Sequence, residues 1–319
     1  MPFQGNHSMV QEFILLGLSQ AREVQIFLFV LFLVFYSLIL PANILVIVTI
    51  QSDPHLSAPM YFFLANLAFL DICYCSVTPP KMLVDFFSTR KTISYEGCLA
   101  QIFFLHWLGG SEIVLLIAMA IDRYMAICHP LRYSSLITRA VCCLLVLASW
   151  FVGFVHSIIQ IALLIPLPFC GPNELDSFFC DITQIVKLAC TDTYILQYIM
   201  FFNSGLSIVI CFILLLISYG VLLVKVRTGS GQGKSKAAST CLTHIIIVFV
   251  MFGPAIYIYC RPFQEFPLDK VMAVFHMVVF PLMNPMIYTL RNKEIKQAIM
   301  KLQVQSCPCN IPVFICYLQ

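Results

Sequence analysis

The sequence predicts an all-α membrane protein, a seven-transmembrane helix bundle followed by a short cytoplasmic amphipathic helix. Three observations carry this. Of the 319 residues 61% are hydrophobic and only 10% charged, with a mean hydropathy of +0.93, far from the balance of a soluble domain. Seven apolar stretches recur, at about 24–50, 59–80, 99–126, 140–165, 196–226, 237–260 and 269–290. Each is long enough to cross roughly 30 Å of hydrocarbon as a helix of about 20 residues. None shows the period-2 alternation of a barrel strand, so helices are the form that satisfies the backbone in lipid.

The basic residues orient the bundle. With residues 1–23 outside the cell, eleven of the eighteen Lys and Arg fall at cytoplasmic ends and loops, among them Arg123, Arg132, Arg139, Lys225, Lys293 and Lys296. That asymmetry places the N-terminus on the extracellular side. The net charge of +3 therefore reflects topology, and nothing in it asks for nucleic acid. The first 23 residues lack a basic segment ahead of a cleavable apolar core, so the first span is expected to act as an uncleaved signal-anchor. Asn6-His7-Ser8 is a glycosylation sequon on the outer side.

The domain plan is simple: an extracellular N-terminus at 1–23, the seven-span domain at 24–290, and a cytoplasmic amphipathic helix and tail at 291–319. The longest connection, about 166–195, is rich in Pro and Cys, and a loop of that length in a compact bundle is functional or covalently braced. Cys98 opens the third span, while Cys170, Cys180 and Cys190 lie in this loop. Four outward cysteines allow three pairings, and bridges suit them better than a metal because there is no CxxC and no histidine cluster. Cysteines within the spans read as small buried hydrophobes. Cys307, Cys309 and Cys316 follow the last helix and are candidates for palmitoylation.

Two carboxylates stand inside the membrane, Asp71 in span two and Glu112 in span three. Each costs roughly 2.5–3.5 kcal/mol at that depth, so each is expected to face the bundle interior. No intramembrane Lys or Arg pairs with them, which leaves a sodium ion or a proton shared between them, or a role as polar glue between helices. No organic cofactor and no metal centre is expected. Pro41, Pro254, Pro281 and Pro285 interrupt spans one, six and seven and predict kinks. A catalytic reading finds no HExxH, no nucleophile in register with a base, and no phosphate-binding glycine loop; the chain is not read as an enzyme. A transporter or channel rests on the two carboxylates alone, and the lack of an internal repeat argues against it.

Asp122 and Arg123 are adjacent at the edge of span three, where they can pair with each other and reach water. The stretch that holds them, MAIDRYMAICHPLRY, together with KAASTCLTH at the start of span six and PLMNPMIYTLRNKEIK at the end of span seven, resembles the rhodopsin-like G-protein-coupled receptors. PMYFFLANLAFLD and GSEIVLLIAMAIDRY are similar to signatures of the vertebrate odorant receptors, tetrapod-type branch, and the surroundings of LGGSEIVLLIAMA suggest family 4. The resemblance covers nearly the whole chain.

The resemblance implies a receptor for a small volatile, mostly apolar odorant, acting on a stimulatory olfactory-type heterotrimeric G protein to raise cAMP. It implies the plasma membrane of olfactory cilia, with membrane lipids around it. A same-fold receptor for a non-odorant metabolite is the rival. By position, Arg123 would meet the G protein and be held at rest by Asp122, with Tyr124 completing the triplet. Tyr219 and Tyr288 would swing toward it, His244 would latch span six, and Asn284 and Pro285 would form the span-seven switch. Asn43, Asp71, Glu112 and Asn284 would form a central polar network. Cys98 would bridge to Cys180 and Cys170 to Cys190. The odorant would sit among Leu105, His106, Gly109 and Gly110 of span three, Asn203, Ser204 and Ser207 of span five, Phe252, Ile256 and Tyr259 of span six, and Val274 of span seven. Spacing independently places Asn203 with Ser207, and Phe252 with Ile256, on single helix faces. The sequence departs from the family pattern at Met251-Phe252-Gly253, where a tyrosine usually stands between phenylalanine and glycine.

Overall fold

A computed structural model describes residues 10–170, 172–228, 234–260 and 268–306. Asn6 and the tail cysteines Cys307, Cys309 and Cys316 lie outside the described residues, as do the side chains of His244 and Tyr288. Seven long helical stretches run through the described chain. Span one is Arg22–Ser52, and span two is Pro59–Cys75 continued by Pro79–Asp85. Span three is Tyr95–Cys128 and span four Arg139–Leu164. Span five is Tyr194–Met200, a π-helical turn Phe201–Leu206, and Ser207–Thr228. Span six is Lys234–Tyr259, and span seven is Asp269–Val274, a π turn Phe275–Val279, and Phe280–Arg291. The first five are long and apolar enough by themselves to cross a membrane.

Local chemistry sets the ends. Pro59 starts span two at a position that needs no backbone N–H, Ser94 Oγ accepts from Gly97 N at 3.1 Å to open span three, and Thr138 Oγ1 accepts from Val141 N at 3.3 Å to open span four. Polarity is arranged inside out. Leu144, Leu147 and Phe151 of span four point outward, whereas Asn43, Asp71, Ser111, Glu112, Ser149 and Ser157 are buried between helices. Water would penalise that outward face, and lipid does not.

Two features go beyond an all-helical bundle. Strand β1, Glu12–Leu15, lies at the centre of a three-stranded sheet, pairing antiparallel with β2, Thr92–Ser94, and parallel with β3, Glu174–Leu175. These segments fall outside the seven expected spans, and each strand is too short for its alternation to register. Alternation in EFIL explains the strand: Phe13 and Leu15 are buried on one face against Cys98, Ile102, Leu164 and Cys180. The second feature is the pair of π turns, each of which widens its helix and alters the phase of the residues beyond it.

Disulfides brace the same end. Cys98 is bonded to Cys180 across 82 residues, and Cys170 to Cys190 across 20. At the opposite end the amphipathic helix Lys293–Ser306 buries Ile295, Ala298 and Ile299 and leaves Lys293, Lys296 and Lys301 exposed. Asn292 caps it, its Oδ1 accepting from Glu294 N at 3.0 Å, and Tyr61 Oη donates to Glu294 Oε2, which ties this helix to span two.

Candidate ligand-binding site

Beneath the sheet the helices enclose a cavity of about 470 Å³, within the range of small-molecule sites. Span three supplies Leu105, His106, Gly109 and Gly110, span five Asn203, Ser204 and Ser207, and span six Tyr259, all named from the sequence. The loop before span five forms the roof through Phe179, Cys180, Asp181 and Ile182. Apolar side chains cover most of the wall, with a few polar groups among them.

Three of the expected ligand residues do not reach the cavity. Phe252 is fully buried, its ring 5.6 Å from that of Phe212, and Ile256 packs into the same core. Span six instead turns Met251, Ala255, Ile258 and Tyr259 inward, one residue out of phase with the expectation. Val274 also packs on the core, and span seven presents Ala273, His276 and Met277. Ala273, His276 and Met277 recur at spacings of three and four, so Val274 falls one residue off the face that lines the cavity.

Span four contributes a wall that sequence analysis missed, with Val152, Gly153, Val155, His156 and Ile159. The signal was in the chain: Ser149, Gly153, His156, Ser157 and Gln160 recur at spacings of three and four on an otherwise apolar helix. His156 Nε2 lies 3.4 Å from His106 Nδ1. Such a contact needs one lone pair, so at least one of these rings is neutral. Tyr259 stands edge-on to His106, ring centres 5.8 Å apart, and Tyr74 edge-on to His276 at 5.8 Å.

The roof carries charge. Asp181 Oδ1 accepts from Thr183 N at 2.8 Å and from Thr183 Oγ1 at 2.6 Å. Burial raises its carboxyl above the ordinary range, the two bonds from Thr183 pull the other way, and the charge of Asp269 adds to the rise.

Below the cavity, Asn284 Nδ2 donates to Asp71 Oδ1 and Oδ2, both at 3.1 Å, and faces Glu112 Oε1 at 3.3 Å. All three residues are buried, and Asn284 Oδ1 has no hydrogen-bond partner. Asn43 is set differently: its Nδ2 donates to Ile39 O at 3.1 Å and to Pro281 O at 3.2 Å, joining span one to span seven. Among the described residues no cluster of three or more His, Cys, Asp or Glu is arranged to hold a metal ion.

At the far end of span three the expected Asp122–Arg123 ion pair is not formed. Tyr133, on the short helix Pro130–Leu136, donates its hydroxyl to Asp122 Oδ1 at 2.7 Å, and Arg123 Nε is buried without a hydrogen-bond partner. The carboxylate takes a neutral donor from the following loop in place of its neighbour in sequence. Adjacent residues on a helix point about 100° apart, so this geometry follows from the span itself. Burial and the bond to Asp122 raise the Tyr133 hydroxyl well above its ordinary range, which keeps it protonated as the donor. Tyr124 is half-buried beside His129, ring centres 5.8 Å apart, and Tyr219 is buried in the core between the helices.

The profile of the family described as Olfactory receptor matches residues 32–306. This chain belongs to the olfactory receptor family. Olfactory receptor 4M1 of Mus musculus is 62% identical over 299 residues, 93% of this chain and 96% of that one. Olfactory receptor 4M1 of Homo sapiens is 60% identical, over 96% of this chain and 98% of that one, and human Olfactory receptor 4N5 is 57% identical, over 95% and 99%. All three carry family 4 names. The olfactory receptor described here is accordingly a multi-pass helical membrane protein and a non-enzymatic receptor, whose cavity lies under a disulfide-braced lid.

Proposed function

We propose that this olfactory receptor detects a small, volatile, largely apolar molecule in the 470 Å³ cavity and signals through a stimulatory olfactory-type heterotrimeric G protein, raising cAMP. The observation that carries the reading is the cavity itself: apolar walls, a histidine pair, and Asn203, Ser207 and Tyr259 as the few polar groups able to orient a ligand. In this reading the disulfide end faces outward from the plasma membrane of an olfactory cilium. The end that holds Arg123 and Tyr133 faces the G protein. A ligand shifts the equilibrium only by its preference for the active arrangement, and the bound G protein tightens the cavity in return.

Asp71 and Glu112 suit a single compensating positive charge, either a proton or a sodium ion. The orphaned Asn284 Oδ1 is an oxygen of the kind such an ion takes. Balancing the pair in this way keeps spans two, three and seven together in the resting state. Measuring cAMP in cells against a broad odorant panel, with Arg123→Ala beside the wild type, tests the proposal: a response specific to some odorants and lost in the variant supports it. A response that survives Arg123→Ala overturns the assigned signalling face.

A further inference from the structure

We infer that the cavity takes its ligand sideways from the bilayer, through a seam between spans four and five, and therefore selects molecules that first dissolve in lipid. This rests on the cavity being the ligand site. Four large apolar side chains on its wall are also exposed: Val152 is 48% exposed, Val155 40%, Ile159 38% and Ile210 49%. At mid-span the outer surface of the bundle faces hydrocarbon, so the cavity wall there is one side chain thick, and this is where we infer the breach. Asn203 and Ser207 line the cavity beside the breach, placing an amide and a hydroxyl on its lip.

The seam has a cause in two glycines. Gly153 lets span four lie flat on span three, because a Cβ there would stand 2.3 Å from Ser111 Oγ and 2.4 Å from Trp107 O. Trp107 Nε1 donates to Trp150 O at 3.0 Å and Ser157 Oγ to Phe103 O at 2.6 Å, closing that pair of spans. Gly205 draws span five to span six in the same manner, a Cβ there falling 2.4 Å from Tyr259 O, and Cys260 Sγ lies 3.3 Å from Gly205 O. Span four is thus held to three, and five to six. Among the described residues two hydrogen bonds cross between four and five: Gln160 Nε2 donates to Ser204 Oγ at 2.6 Å, and Asn203 Nδ2 to His156 O at 3.4 Å.

Among the described residues a lid lies across the aqueous side. The sheet, the Cys98–Cys180 bridge and Phe179 lie across the top, and Lys270 Nζ ties the lid to span seven through Asp176 Oδ1 at 2.6 Å and Gly17 O at 3.0 Å. Lipid also gathers the ligand, since each methylene multiplies its partition into hydrocarbon by roughly fourfold.

The test needs neither odorant nor G protein. The full chain in lipid nanodiscs is photolysed with a hydrocarbon carrying a diazirine, which loses N₂ to give a carbene that inserts into C–H or O–H bonds, and labelled peptides are mapped by mass spectrometry. Met251 and Ala255 report the cavity, being buried on its far wall, and Leu144 and Leu147 report contact with lipid. We expect both pairs labelled in the wild type. Val155→Trp from one lip and Ile210→Trp from the other each lower cavity labelling at least fivefold with Leu144 and Leu147 unchanged, and either variant suffices if the other fails to fold. An unlabelled cavity in the wild type, or equal cavity labelling in wild type and variants, overturns the seam. Cavity labelling that falls in the variants while their odorant responses stay unchanged would instead keep the seam and sink the ligand reading alone.

Discussion

Tyr133 holds Asp122 by a 2.7 Å hydrogen bond from the loop that follows span three, leaving Arg123 outside the carboxylate's grasp. A hydrogen bond to a charged acceptor is worth about 1.5–3 kcal/mol. Without the hydroxyl, the guanidinium next door is the charged group nearest to hand. Tyr133→Phe should therefore draw Arg123 back to Asp122 and lower odorant potency about 3–10-fold in a cAMP concentration–response assay. A rise in ligand-independent cAMP would show that Tyr133 guards the resting state and would reverse this assignment.

His106 and His156 share one contact across spans three and four, and each can offer its other ring nitrogen to a ligand. His106→Phe or His156→Phe should reduce potency roughly tenfold for ligands bearing an oxygen, the equivalent of about 1.4 kcal/mol for one net hydrogen bond. Responses to pure hydrocarbons of the same length should change less than threefold. Equal losses for both ligand types would mean that the rings serve only to fill space.

The glycines divide into two groups with opposite expectations. Gly153→Ala and Gly205→Ala force a methyl group against backbone at 2.4 Å and should cost about 1–3 kcal/mol, visible as reduced surface expression and a lower melting temperature in detergent. Gly220 and Gly253 have nothing within 4 Å of an added Cβ, so alanine there should be neutral or stabilise by up to about 1 kcal/mol. Thermal-shift measurements on the four variants separate the groups.

The two bridges differ in the loop they close, 82 residues against 20. On chain entropy alone the longer stabilises by about 1.2 kcal/mol more. Cys98→Ser should thus depress surface delivery more than Cys170→Ser, as counted by flow cytometry with an N-terminal epitope.

Asp181 gives the lid a pH dependence. Its folded-state carboxyl is raised above the ordinary value, so the folded protein holds this proton more tightly than the unfolded chain does. Its contribution is complete below the unfolded value, near 3.9, and is lost as pH rises through the higher folded one. The melting temperature should include a component that falls with rising pH across that window, and Asp181→Asn should remove it. An unchanged profile in the variant would relieve Asp181 of the role.

The bundle was legible in the chain because lipid imposes one solution on an apolar stretch of about 20 residues. The residues that line the cavity from spans three and five were legible through the resemblance, which supplied Gly109 and Gly110 by position, while a spacing of four put Asn203 and Ser207 on one face. Span six was read one residue out of phase at Phe252 and Ile256, because an aromatic suits a helix–helix core as well as it suits a ligand. Val274 was placed by position from the resemblance alone, and it stands one residue off the face made by Ala273, His276 and Met277. Arg123 and Asp122 were paired from their adjacency, yet the decisive neighbour, Tyr133, lies eleven residues from Asp122 on a separate short helix. The sheet was invisible because no strand exceeds four residues, too few for alternation to register.

That sheet also sets a schedule for biogenesis. β1 is made first but sits in the middle, and its parallel partner Leu175 follows Leu15 by 160 residues. At about 5–20 residues per second of synthesis, the N-terminal strand waits on the order of ten to thirty seconds for that neighbour. Until span four and the loop after it have emerged, Phe13 and Leu15 lack Leu164, Leu175 and Cys180 from the cluster that buries them. The lid thus cannot close on a chain that stops short of Leu175, so completion of the sheet marks a chain synthesised through span four.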